Sequence, residues 1–265
     1  MTDLTSLVQQ LEAESGGEIS FAFRNLQTGE TLGHFPDRKV KTASLIKLPI
    51  LVYIALAVEE KSLTWDTPLT LTEAEKVGGA GVLSGMTPGI ALPLRDICYL
   101  MTVISDNTAT NMIIEFVGRD VINSRMRGFG LVETTLFRKS YSEDTPESKE
   151  YGLGVTTAGE MVSLLTQIAQ NEIGSPSAQA EILRMLGNQM HRETIPRYLS
   201  ADWKYAGKTG AIDPLRNDVG IVTSPDGLRF ALALMCQKMP LIQWTPDNPG
   251  MLALARLSKH LLLDL

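Results

Sequence analysis

Ser44-Leu45-Ile46-Lys47-Leu48-Pro49-Ile50-Leu51 opens a long apolar run that ends in the charged pair Glu59-Glu60. Residues 44–60 read as a helix, with Pro49 tolerated because it falls within the first turns. Ser44 and Lys47 stand three residues apart, on one face of that helix. Further along the chain come Ser105-Asp106-Asn107 and Lys208-Thr209-Gly210. Composition alone yields about 0.7 chance matches to Ser-x-x-Lys, roughly 0.03 to Ser-Asp-Asn and roughly 0.08 to Lys-Thr-Gly. All three in this order are expected roughly 0.0002 times, so the set is informative where each member is weak. Taken singly, Ser44 reads as a helix N-cap, Ser105-Asp106-Asn107 as a cap before residues 108–117, and Lys208-Thr209-Gly210 as a turn into a strand. Gly207-Lys208-Thr209 is not the end of a phosphate loop, which requires glycine where Asp202 stands.

Outward from the first helix, residues 19–25 and 30–35, joined by Leu26-Gln27-Thr28-Gly29, read as a hairpin with a glycine-containing turn. The middle is mostly helical, clearest at 94–101, 108–117, 121–128, 158–170 and 176–186. Thr157 with Glu160 forms a capping box, and Ser175-Pro176 supplies an N-cap and first-turn proline. Strands return at 204–209, 217–223 and 229–236, with Pro225-Asp226-Gly227 as a turn. Helices are expected at both ends, at 4–13 and from Asn248-Pro249 to 263.

Strands at both ends around a helical middle predict a single domain of α+β class with two lobes. Residues 1–43 and 202–265 form an antiparallel sheet flanked by terminal helices; residues 44–201 form an inserted all-helical lobe. Ser44 then lies where the chain leaves the sheet, Ser105 at a helix start and Lys208 on an edge strand, all facing one cleft between lobes.

Of the 265 residues 44% are hydrophobic and 20% charged, enough for a sizeable core. The net charge of -6 and the lack of a basic stripe argue against nucleic acid as a partner. No apolar run approaches the ~20 residues of a membrane span. Residues 1–17 lack the basic start, apolar core and cleavage site of a leader peptide, so the expectation is cytoplasmic, or exported if a leader has been removed. Cys98 and Cys236 lie in apolar stretches and read as two buried free thiols. Met86, Met101 and Met112 read as core packing. His34, His191 and His260 show no ligand spacing, so neither metal nor cofactor is expected. The expected partner is a small molecule or peptide, taken by a monomer.

In order, the three motifs resemble the signature of the penicillin-recognising serine hydrolases. From about Gly17 to the C-terminus the chain is similar to class A β-lactamases, with Ser105-Asp106-Asn107-Thr108-Ala109-Thr110-Asn111, Met126-Arg127-Gly128-Phe129-Gly130-Leu131 and Arg216-Asn217-Asp218 as further matching segments. The resemblance implies Ser44 as nucleophile and Lys47 as its base. A serine hydroxyl is weak at its free pKa, and an amine accepts a proton only if burial or a neighbouring cation lowers its pKa. Lys208 is that second cation. Ser105 would pass a proton to the leaving nitrogen, and Asn107 would hold a substrate amide carbonyl. The backbone N–H groups of Ser44 and Ala211 would form the oxyanion hole. Lys208, Thr209 and Gly210 would line the substrate site, with Arg216 receiving a substrate carboxylate.

One departure matters. Class A enzymes carry a Glu-x-x-Leu-Asn loop whose glutamate activates the water that releases the acyl enzyme. Here the loop reads Arg138-Lys139-Ser140-Tyr141-Ser142-Glu143-Asp144-Thr145-Pro146-Glu147, with Ser140 at the aligned position. Glu143, Asp144 and Glu147 are candidate substitutes. A disulfide found in some relatives from the Cys98 helix is excluded, since Leu51 stands seven residues after Ser44. The expected activity is β-lactam opening through an acyl enzyme on Ser44, with slow deacylation. A D,D-peptidase, an esterase or a noncatalytic penicillin-binding sensor on the same scaffold are the alternatives.

Overall fold

The computed structural model describes residues 4–264; residues 1–3 and 265, assigned above to the sheet lobe, lie outside it. In chain order the elements are α1 (Leu4–Ser15), β1 (Glu18–Asn25), β2 (Thr31–His34), β3 (Val40–Lys41), a 3-10 turn (Ala43–Ile46), α2 (Lys47–Glu59), β4 (Pro68–Thr70), β5 (Ala91–Pro93), α3 (Leu94–Val103), α4 (Asn107–Val117), α5 (Arg119–Gly128), β6 (Thr135–Leu136), α6 (Ser148–Tyr151), β7 (Gly154–Thr156), α7 (Ala158–Ala169), α8 (Pro176–Gly187), β8 (Lys204–Ile212), β9 (Leu215–Thr223), β10 (Arg229–Gln237) and α9 (Pro249–Lys259). A π-helical turn, His260–Asp264, ends the described chain.

Both chain ends build one five-stranded antiparallel sheet in the order β2-β1-β10-β9-β8. Because successive side chains on a strand point to opposite faces, the sheet feeds two cores. Ile19, Phe21, Val222, Leu232 and Leu234 pack with α1 and α9. Val219, Ile221, Ala231 and Ala233 face α7 and join the core of the helical lobe. Almost every side chain of α2 is buried, which explains why its sequence shows no polar face.

The inserted region departs from an all-helical lobe. β4 pairs with β5, and β7 pairs with both β3 and β6. These strands of two or three residues are too short to show an alternating pattern. Thr157 caps α7 by accepting from Glu160 N at 3.1 Å, yet the Glu160 carboxylate turns to the backbone N–H groups of Glu133 and Thr134, each at 2.7 Å. Half of the expected capping box is therefore a cross-link to the segment before β6. Ser175 and Pro176 start α8 as expected.

Cys98 and Cys236 are buried free thiols. No helix of the described residues is long and apolar enough to cross a membrane.

Candidate active site

Three pieces of backbone meet at the edge of the sheet. The 3-10 turn before α2 carries Ser44, the turn between α3 and α4 carries Ser105, and edge strand β8 carries Lys208, Thr209, Gly210 and Ala211. Ser44, Ser105, Thr209, Gly210, Ala211 and Arg216 line one cavity of about 270 Å³, whose other walls include His191, Glu193, Trp244 and Met251.

Close approach of β8 to the Ser44 turn depends on Gly210. A Cβ there would lie 2.7 Å from the Thr42 carbonyl oxygen and 3.2 Å from Leu45 N, so no side chain fits. The residue before Ser44, Ala43, has φ +43°, and Ser105 has φ +59°. Left-handed backbone at non-glycine residues costs about 1–3 kcal/mol and gathers at functional sites. Ser105 is thereby not the cap of α4. Asp106 is: its buried carboxylate accepts from Ala109 N at 2.9 Å and reaches out to Val82 N at 2.7 Å and Leu83 N at 2.9 Å. Asp106 thus ties the helix start to the 77–83 loop, which leaves Ser105 free to project into the cleft.

Lys47 and Lys208 are completely buried, and neither touches a carboxylate. Lys47 Nζ donates to Ser105 O at 2.7 Å, to Ser105 Oγ at 3.1 Å and to Asn107 Oδ1 at 2.9 Å. Lys208 Nζ donates to the same Ser105 Oγ at 3.1 Å and to Thr209 O at 2.8 Å. The i, i+3 spacing put Lys47 beside Ser44, but its amine is turned to Ser105 instead. Burial is the main reason that the Lys47 pKa is well below the ordinary lysine range; the Lys208 charge adds to it and Asp106 opposes it. Burial lowers Lys208 to about 7, against the pull of Asp218. His191, half-buried in the cleft wall, is held below its ordinary value by burial and then by Lys208.

Two expected binding residues are already engaged. Asn107 uses its oxygen on Lys47 and gives a hydrogen of its amide to Gly78 O at 3.1 Å. Arg216, only 4% exposed, donates to the carbonyls of Ile212 at 3.0 Å, Leu215 at 2.7 Å and Gln243 at 2.6 Å, with its guanidinium 4.5 Å from the Trp244 ring centroid. Its Nε–H and one Nη hydrogen remain unassigned by these bonds. Sequence reasoning missed Trp244 and the 191–194 wall, since neither carries a motif.

Ser140 stands where the chain runs beside α4. Asn111 grips it from both sides, accepting from Ser140 N at 2.8 Å and donating to Ser140 O at 3.0 Å. Glu143, Asp144 and Glu147 are exposed, and none is among the residues lining the cavity. Asp144 is paired with Arg138 at 3.1 Å. No cluster of three potential metal ligands occurs among the described residues.

Comparison with known proteins fits this geometry. The β-lactamase enzyme family matches residues 3–264. A β-lactamase regulatory protein, BlaB of Streptomyces cacaoi, is 26% identical, with 96% of each chain covered. Among solved structures, a β-lactamase from Sphaerobacter thermophilus superposes with a TM-score of 0.89 at 27% identity, covering 98% of this chain and 96% of that one. PBP-A superposes with a TM-score of 0.84 at 29% identity, covering 97% and 95%, and a variant of it has been solved as an acyl-enzyme complex with penicillin G. With the motifs assembled in one cleft and the family matching nearly the whole length, the chain belongs to the β-lactamase enzyme family.

Proposed function

We propose that this protein opens β-lactams, and related amide or ester substrates, through an acyl enzyme on Ser44, and that it releases the acyl group slowly. The observation that carries the reading is the Ser105 hydroxyl, which bridges two buried amines at the mouth of the Ser44 cleft. With Lys47 neutral, its lone pair takes the proton of the attacking Ser44 hydroxyl. Ser105 then donates its hydrogen to the departing nitrogen and is resupplied by the Lys47 ammonium beside it. The Ser44 and Ala211 N–H groups receive the oxyanion: β8 is an edge strand, so half of its backbone groups have no strand partner. Lys208, Thr209 and the free hydrogens of Arg216 receive the substrate carboxylate, and the second Asn107 amide hydrogen a substrate carbonyl.

Slow release follows from the loop. Hydrolysis needs a base that holds water against the ester, and Ser140 offers a hydroxyl in place of a carboxylate. The acyl complex of the PBP-A variant supports acylation by a penicillin on this scaffold. A penicillin-binding peptidase or esterase is the second reading, favoured by the same loop; the similarity to a regulatory protein keeps a sensor in view. Time-resolved intact mass spectrometry with excess benzylpenicillin separates these. A transient adduct that vanishes as the drug is consumed means a β-lactamase with an unconventional base. A lasting adduct means a peptidase, esterase or sensor, and no adduct rejects acylation by this substrate.

A further inference from the structure

Behind Lys208, on the opposite face of the sheet, lies a second completely buried acid. Asp218 stands directly across the β8–β9 ladder from Thr209. One carboxylate oxygen accepts from the Tyr205 hydroxyl at 2.5 Å and the other from Ile195 N at 2.9 Å. No ammonium or guanidinium among the described residues touches it, and burial raises its pKa to about 7, so its charge is present above neutrality, where Lys208 would otherwise lose its proton. The arrangement is built at some cost to the sheet. Gly207 and Gly220 face each other across the same ladder, and the Tyr205 ring lies over both; a Cβ on Gly220 would be 2.6 Å from Tyr205 Cε2, and one on Gly207 would strike the ring and its hydroxyl. Two strand glycines, each unfavourable in a sheet, thus make room for one phenol to reach one carboxylate.

We propose that Asp218, held by Tyr205 and Ile195, is a positioning residue of the acylation machinery: it supplies through the sheet the negative charge that keeps the Lys208 ammonium in place. The inference rests on the reading of Ser44 as an acylated nucleophile. A buried ammonium without a counter-charge gives up its proton. Lys208 has only the Ser105 hydroxyl and the Thr209 carbonyl as partners, so the missing charge comes from Asp218, one strand away. The symmetry is instructive. Lys47 has Asp106 and Lys208 has Asp218, each carboxylate completely or almost completely buried, each held by backbone N–H groups, neither touching its amine. Such spacing stabilises charge without fixing the amine in an ion pair, which leaves it able to bind Ser105 and substrate. The other charged or titratable groups around Lys208 are Lys47 from α2, Asp106 at the start of α4, Tyr205 on β8, Arg216 on β9, and His191, Arg192 and Glu193 from the segment before β8.

The test is the pH dependence of Ser44 acylation in Asp218→Asn, which keeps the shape, its amide oxygen accepting from Ile195 N and its amide nitrogen donating to the Tyr205 oxygen. With a carboxylate-bearing penicillin, the alkaline limb of the acylation rate constant moves to lower pH by about one unit or more, because Lys208 loses its proton earlier. The acid limb stays in place, because there Asp218 is already protonated in the wild type. A neutral ester shows neither change. Tyr205→Phe, which removes only the donor, gives a smaller shift in the same direction and decides the matter if Asp218→Asn does not fold. Folded variants with wild-type limbs, whatever their melting temperatures, overturn the proposal. A wild-type protein that is never acylated instead overturns the reading of Ser44.

Discussion

Lys47 and Lys208 reach for one oxygen: each amine nitrogen lies 3.1 Å from Ser105 Oγ. A hydroxyl has two lone pairs and one hydrogen. With both lone pairs taken by the amines, the remaining hydrogen is directed away from them, toward the cleft. Ser105 is therefore oriented as a donor before any substrate arrives, and this follows from two lysines that lie 58 and 103 residues from it in sequence.

Ser44→Ala removes the nucleophile and should abolish covalent labelling by penicillins. Intact mass spectrometry with benzylpenicillin reads the adduct directly, and circular dichroism shows that the fold is retained. An adduct that persists in the variant places the nucleophile elsewhere.

The lysines set the pH profile. Lys47 acts as a base only when neutral, so kcat/KM should rise with pH through its lowered pKa. Lys208 loses its charge as pH rises through about 7, so capture of a substrate carboxylate should weaken on the alkaline side. Stopped-flow acylation should show a descending limb for penicillins that a neutral ester lacks.

Ser140→Glu restores a carboxylate at the position that Asn111 holds in place. Release of the penicilloyl group should accelerate by at least tenfold, within the range of about 10²–10⁴ typical of a positioned base, while the acylation rate stays within a few fold of wild type. Single-turnover measurements separate the two steps. Unchanged release would mean that the 138–147 loop directs this side chain away from the ester.

Gly210→Ala forces a methyl group against the Thr42 carbonyl. Overpacking of this kind costs about 1–3 kcal/mol of stability. Displacing β8 from the Ser44 turn should also cost an oxyanion donor, which is worth about 10²–10³ in rate. Thermal melting and acylation kinetics together distinguish this from a purely destabilising change, which would leave the folded fraction fully active.

Arg216 and Asn107 show where sequence and structure part. Both were legible as site residues because their motifs are local, and both do border the cleft or its machinery. Their donors, however, are partly spent on the carbonyls of Ile212, Leu215, Gln243 and Gly78, contacts that depend on loops with no periodic signature. The sheet was legible because β1 and β10 are largely apolar runs beside turn residues, and because strands at both ends around a helical middle imply one antiparallel sheet. The 3-10 turn at Ala43–Ile46 was not, since Ser-Leu-Ile-Lys before an apolar run reads as the helix itself. Asp218 illustrates the deepest limit. A charged residue in a strand signals a solvent-facing position, and only the tertiary placement of Tyr205 and Ile195 makes it a buried one.

Cys98 in α3 and Cys236 in β10 are unbridged and sealed in different cores, the first among the helices and the second between the sheet and α9. Burial raises both thiols, Cys236 to about 11, so neither presents a thiolate to a reagent while its surroundings are closed. The protein therefore carries two internal clocks. Pulsed alkylation, resolved by peptide mapping, would time the breathing of the helical and sheet cores separately. It would also show whether acylation at the seam between them stiffens one side or both.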